Sequence, residues 1–259
     1  MNAIIRRELS MYFKSPIGYV LLAIYALVSG LVFSLHLMNG QALLSQEFVF
    51  VQSLFFIIIP LLTMRAYAEE RRNGTEILLM TSPASIRQIV WGKYIAHLMI
   101  FIFLSLITIV HFVLTLALGG VVDLPVLGAV VAYFLTGCAY ISIGLFCSSL
   151  TENQIVAGVI SMVIFLFFNL MSLLASFIGT LMSQVINRID FLNWLSQADE
   201  QAVGLFLQKT INWLNPAEKT SAFYRGIFDP VPLVFLLTLC ALFQFYTVKN
   251  LERRRYRQN

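Results

Sequence analysis

Residues 48–93 read FVFVQSLFFIIIPLLTM followed by RAYAEERRNGTEILLMTSPASIRQIVWGK. The first piece, Phe48–Met64, is a run without a charge. The second, Arg65–Lys93, carries five basic residues (Arg65, Arg71, Arg72, Arg87, Lys93) and three acids (Glu69, Glu70, Glu76). A further uncharged run, Tyr94–Leu118, begins at once. Roughly 17–25 apolar residues suffice for a helix to cross a bilayer core about 30 Å thick. The stretch therefore predicts two membrane helices joined by a structured polar loop.

Working outward gives four more such runs: Ile17–Met38, Val126–Leu150, Ile155–Met182 and Val231–Val248. They are continuously apolar, whereas barrel strands alternate over about ten residues. The whole chain of 259 residues is 59% hydrophobic and 12% charged, with mean hydropathy +0.83. A soluble domain has about 45–50% apolar and about 25% charged residues. This composition excludes ordinary soluble enzymes, nucleic-acid modules and disordered chains. The expected fold is all-α: a polytopic membrane protein with six transmembrane helices in one domain, residues 1–259.

Charge sets the expected orientation. The segment before the first run, the loop 65–93, the short loop Thr151–Gln154 and the tail hold 13 of the 17 Lys and Arg residues. Such an excess marks the cytoplasmic side, so both termini are expected in the cytoplasm. The net charge of +4 is thus topological and implies no nucleic-acid partner. The first run is too long for a signal-peptide core and reads as a retained span.

The polar pieces have their own signals. In residues 1–14, Ile5, Leu9, Tyr12 and Phe13 share a helical face, which predicts an N-terminal interfacial helix turning into the membrane at Pro16 and Gly18. No breaker separates Met64 from Arg72, so the second helix is expected to run on into the cytoplasm and stop at Asn73-Gly74. Thr75 is placed to cap a short helix through Met80, and Ser82-Pro83 to start the helix that leads into the third span. Glu69 and Glu70 stand at helical spacing from Arg65, Arg71 and Arg72. Exposed pairs of that kind contribute ~0–1 kcal/mol, so reversing Glu70 is expected to leave insertion unchanged. Segment 183–230 interleaves Phe191, Leu192, Trp194, Leu195, Phe206, Leu207, Trp213 and Leu214 with charges. It is expected to form an extracytoplasmic amphipathic segment before the last span, with a helix starting at Asn215-Pro216 and stopping at Gly226.

Several chemistries are missing. No GxxxxGK[ST] occurs, and no zinc motif. Cys138, Cys147 and Cys240 lie in apolar runs and are expected to pack there unbridged. No acid lies within the six runs, and His36, His97 and His111 suit hydrogen bonding near the boundaries. Gln52, Asn169 and Gln244 are uncharged polar residues in the spans; Asn169 is a possible path-lining residue.

The run from Pro60 through Arg65, Glu69-Glu70-Arg71-Arg72, Gly74-Thr75-Glu76, Thr81 and Pro83 to Gly92-Lys93 resembles permease subunits of ABC-2-type exporters, closest to the branch of gliding-motility-associated and copper-enzyme-maturation permeases. Lys14-Ser15-Pro16-Ile17-Gly18 fits the same branch, and the likeness covers nearly the whole chain. It implies a permease that binds no cofactor itself, with ATP and Mg held by a partner. That partner is a cytoplasmic ABC ATPase dimer. It also implies a second permease subunit and a bacterial inner-membrane location. Glu69, Glu70, Arg71, Arg72, Gly74, Thr75, Glu76, Thr81 and Pro83 would then couple the chain to the ATPase. Such subunits can export a substrate or transmit force to a large extracytoplasmic partner. The rival is a self-contained ion-coupled carrier or channel, against which the absence of charge from the spans counts.

Overall fold

In the computed structural model, residues 1–38, 44–119, 123–189 and 197–258 are described, and all their regular structure is helical. Helix α1 (Asn2–Lys14) stops where Ser15 turns extended, and Pro16 opens α2 (Pro16–Met38), its missing N–H costing nothing at a first turn.

The next crossing is broken. α3 (Leu44–Ser53) is followed, after Leu54, by α4 (Phe55–Thr63), and the segment Ser45–Ser53 meets the segment Phe55–Arg72 at 57°. The Ser53 hydroxyl takes the Phe50 carbonyl at 2.6 Å, and the Leu54 N–H closes a tighter turn on Val51. Pro60 has no N–H to offer a turn further on. Hydroxyls repair such breaks where water is absent.

The helix does not run on past Met64 as its sequence suggests. It turns across residues 64–67 before α5 (Ala68–Arg72). Ser148, from a later helix, mends this break: its hydroxyl donates to the Met64 carbonyl at 3.0 Å and lies 3.1 and 3.2 Å from the N–H groups of Tyr67 and Ala68. After Gly74, at φ +71°, comes α6 (Glu76–Met80). The following helix starts three residues beyond the expected point. Ser85 and Gln88 form a reciprocal capping box, and α7 spans Ile86–Ala117, while Pro83 lies in the preceding turn.

α8 (Leu124–Leu150) is the most enclosed of the long apolar helices and packs on α3, α4, α9 and α12. α9 (Gln154–Ile189) has 36 residues, about 54 Å of helix, so it projects beyond a bilayer core. Residues 183–189 are therefore helix rather than loop. α10 (Gln197–Trp213) folds back along α9, the two backbones meeting at Gly179 and Gly204. Phe206 and Trp213 are exposed, whereas Phe191, Leu192, Trp194 and Leu195 fall outside the described residues. Asn215 caps α11 (Pro216–Thr220), a 3-10 turn follows at Phe223–Arg225, and α12 (Pro230–Gln258) ends the fold.

α2, α7, α8, α9 and α12 are long and apolar enough to cross a membrane, and the bent pair Ser45–Ser53 and Phe55–Arg72 passes the same test jointly. Aromatic rings fill the centre: Phe101 stacks on Tyr133, Tyr140 stacks on Phe165, and Phe55 meets Phe101, Tyr133 and Tyr140 edge-on. Within them, the Tyr25 hydroxyl lies 2.7 Å from Thr108 and 2.8 Å from Tyr133. The three cysteines are free.

One end of the bundle gathers α1, residues 64–85, the α8–α9 turn and the end of α12. Arg65 bonds Ser15, Arg71 bonds the Ser149 carbonyl, and Asn250 bonds the same carbonyl. The other end holds Glu47 on Ser29 and His111, and Tyr224 on Gln52. α4 and α8 touch where a Cβ on Gly144 would stand 2.2 Å from Thr63 Oγ1. Gly144→Val should therefore cost about 1–3 kcal/mol by overpacking. Gly30→Val, which meets nothing within 4 Å, should be neutral. Thermal unfolding of both variants in detergent checks the pair.

Candidate functional site

Two turns into α7 stands Lys93, its side chain 0% exposed. A buried ammonium needs a partner for each of its three N–H groups. Lys93 has them: Glu8 Oε1 at 2.7 Å, the Ala66 carbonyl at 2.6 Å and Glu70 Oε1 at 2.9 Å. The Tyr67 ring lies 5.1 Å from the same nitrogen. Arg7 bridges both carboxylates from the rim, at 2.9 Å to Glu8 and in direct contact with Glu70. One ammonium thus ties α1, the broken second crossing, α5 and α7 together.

The charges face different environments. Burial alone would raise both carboxylates. At Glu8 burial is outweighed only by Lys93, His97 and Arg7 acting together, which hold the group below the usual carboxylate value; at Glu70 burial dominates and the group is raised. Glu8 therefore stabilises the fold above the ordinary carboxylate pKa, a contribution lost as pH falls through its lowered value. Glu70 works in the opposite sense: its contribution is complete below the ordinary value and lost as pH rises through the raised one.

The predicted coupling residues separate into distinct environments. Glu70 is buried against Lys93 and Arg7, not against Arg71 or Arg72. This overturns the expectation that its charge can be reversed freely, because a cation there would face the buried Lys93 and Arg7 at the rim. Glu69 lies 3.8 Å from Arg65 across one helical turn. Arg71 holds Glu76 at 3.3 Å and the Ser149 carbonyl at 2.8 Å, so it fastens α5 to α6 and α8. Arg72 is exposed. Gly74 makes the left-handed turn, and the Thr75 hydroxyl donates to the Glu70 carbonyl at 3.2 Å rather than capping α6. Thr81 and Pro83 are exposed at the loop's tip. Asn169 is apart from all of these. It is exposed on α9, its amide donating to the Phe165 carbonyl at 3.0 Å, so it lines no path inside this chain.

Sequence reasoning missed Glu8, Arg7, Lys93, Ile77 and Leu78. Glu8 lies on the buried face of α1, between Ile5 and Tyr12. The available signal was its helical spacing from Tyr12. Reasoning from charge-free runs also missed Glu47, one residue outside such a run. Glu47 is 1% exposed, bonded to Ser29 at 3.0 Å and to His111 at 2.6 Å, with Phe33 stacked on the histidine. The bundle does contain buried charge.

A bundle of long apolar helices with its charge gathered at one end is a multi-pass membrane protein. The profile of the ABC-2 family transporter protein matches residues 2–243, and the chain belongs to that family. It is thus the membrane component of an ABC transporter, a permease; in this family that component is generally not itself catalytic and works with a cytoplasmic ATPase. No curated protein matches the chain.

The cluster predicts an order of tolerance. Removing one partner of a buried pair costs about 3–5 kcal/mol, so Lys93→Met, which strands two carboxylates, and Glu8→Gln should both be severe. Glu70→Gln should be mild, since burial already disfavours that charge, and should abolish the stability lost between acidic and neutral pH. Thermal unfolding at stepped pH measures both effects.

Proposed function

We propose that this chain is the permease subunit of an ATP-driven ABC-2 exporter whose power stroke enters through α6. The observation that carries this reading is the tip of the loop. Ile77 and Leu78 are 56% and 72% exposed, while the next two residues, Leu79 and Met80, are buried. A short helix presenting two aliphatic side chains, with Thr81 and Pro83 beside them, suits a groove on an ATPase. Arg71–Glu76 and Thr75–Glu70 would pass its displacement to α5, and the Lys93 cluster would pass it to α1 and α7 together. ATP and Mg belong to the partner in this reading.

The shared end, rich in Lys and Arg, is the cytoplasmic one in a bacterial inner membrane. The α3–α4 pair connects the Ser29–His111 level to the Ser15–Lys93 level. About 18 residues of α7, roughly 27 Å, separate Lys93 from His111, so the pair counts as one broken crossing, the second of six. A second permease chain is proposed to meet α9, whose exposed face carries Asn169, a polar group that lipid cannot satisfy. The α9–α10 projection offers a surface to an extracytoplasmic partner. The likeness to the gliding-motility and copper-maturation branch rests on the run from Pro60 to Lys93 and on Lys14 to Gly18, and supports either export or force transmission.

Replacing Ile77 and Leu78 together by Asp should cut ATPase co-purification at least about tenfold, as loss of two desolvated anchors implies. Thermal stability should stay unchanged, because neither side chain packs inward. Full ATPase retention by the double variant would overturn the assignment. Orientation is checked separately: in a cysteine-free background, a cysteine replacing Gln258 should resist membrane-impermeant maleimide in intact cells.

A further inference from the structure

Beside the Lys93 cluster lies a cavity of about 600 Å³ between α1 and the cytoplasmic end of the second crossing. Its lining includes Tyr12, Lys14, Ser15, Arg65 and Glu69, with Met11 and Ile17 as apolar members. Glu8, Glu70 and Arg7 also line it, but their charges are committed to one another and to Lys93. Three charged groups are left with capacity: Arg65, Glu69 and Lys14. Arg65 bonds Ser15 through Nη1, while its Nε is buried without a partner, 3.8 Å from Glu69. Glu69 has no closer cation among the described residues, and Lys14 has no acidic partner among them. A largely apolar cavity of this size with two cations and a half-exposed carboxylate at its wall suits an amphiphilic ligand.

We propose that this cavity holds the headgroup of a phospholipid bearing a phosphate and a primary ammonium. The Arg65 guanidinium, whose side chain is 24% exposed, and Lys14 offer donors to the phosphate, and a guanidinium suits that anion. Glu69 offers an acceptor to the ammonium. A quaternary ammonium has no N–H to give it, and an anionic headgroup would bring a second negative charge against Glu69. The cavity sits where Pro16 takes the chain into the membrane, the depth of a headgroup, and Met11 and Ile17 give the acyl chains an apolar exit. The assignment to the inner leaflet rests on the orientation proposed above. The lipid would wedge between α1 and the segment that α6 drives, making the joint sensitive to bilayer composition.

The test is native mass spectrometry of the full chain taken from nanodiscs holding equal parts phosphatidylethanolamine, phosphatidylcholine and phosphatidylglycerol. One phosphatidylethanolamine should be retained in clear preference to the others. Arg65→Gln should lower retention of every phospholipid roughly tenfold, the usual effect of losing a hydrogen bond to a charged group. Glu69→Gln, a conservative change at a half-exposed side chain, should remove only the preference over phosphatidylcholine. Equal retention of the three lipids, Glu69→Gln without effect, or displacement of the lipid by millimolar inorganic phosphate would each overturn the proposal; the last would give the site to a free anion. Lipid retention is read without the ATPase, so failure here leaves the α6 coupling reading standing, and the converse holds too.

Discussion

The ammonium of Lys93 is the constraint on which the rest of the cytoplasmic end depends. A charge fully out of water is tolerable only when every N–H is answered. Two answers are carboxylates, from α1 and α5. The third is the Ala66 carbonyl, at 2.6 Å. That carbonyl is free because the helix turns across residues 64–67. The broken second crossing and the buried lysine are therefore two halves of one arrangement. Ser148 completes it by serving the Met64 carbonyl and the Tyr67 and Ala68 amides. Without the break, Lys93 would lack an acceptor; without Lys93 and Ser148, the break would leave polar backbone stranded near the membrane.

This construction gives the loop 65–85 a mechanical character that exposed charge pairs could not. Surface pairs yield easily in water, at ~0–1 kcal/mol each. A buried, fully satisfied network holds its members in one geometry, because any displacement leaves a charge unpaired. Movement at α5 must be shared by α1 and α7. Along α7 the same face carries His97, Ser105, Thr108, His111 and Thr115, all buried, reaching the Glu47 pair at the far end. The helix most tightly bound to the charge cluster thus runs through polar contacts to the opposite boundary, with the stacked Phe101 and Tyr133 interrupting them midway.

Much of the architecture was legible in the sequence because membrane insertion depends on properties a sequence displays openly: run length, absence of charge and the placement of Lys and Arg. The long apolar helices, the short helix after Thr75 and the cap at Asn215 follow from such local rules; the helix that Asn215 opens ends at Thr220, short of the expected stop at Gly226, where a separate 3-10 turn ends. The candidate site was legible only in part. Its residues Glu69 to Pro83 stood out as polar, yet their polarity was read as wetness. Arg72 fits that description. Glu70 does not, because Glu8 and Lys93, distant in sequence, enclose it.

The sequence by itself determined that this chain is a multi-pass helical membrane protein with its basic residues concentrated at one end, since hydropathy and charge act residue by residue and need no partners to be read. Only the tertiary structure decided which charges are buried, where the second crossing breaks, and which loop residues point outward. Those outcomes depend on groups brought together across 85 residues between Glu8 and Lys93, or 81 between Tyr67 and Ser148. Ion pairing and hydrogen bonding act only at contact distance. No local pattern in either partner announces the other, so burial of a charge becomes visible only once both sides of the contact are in place.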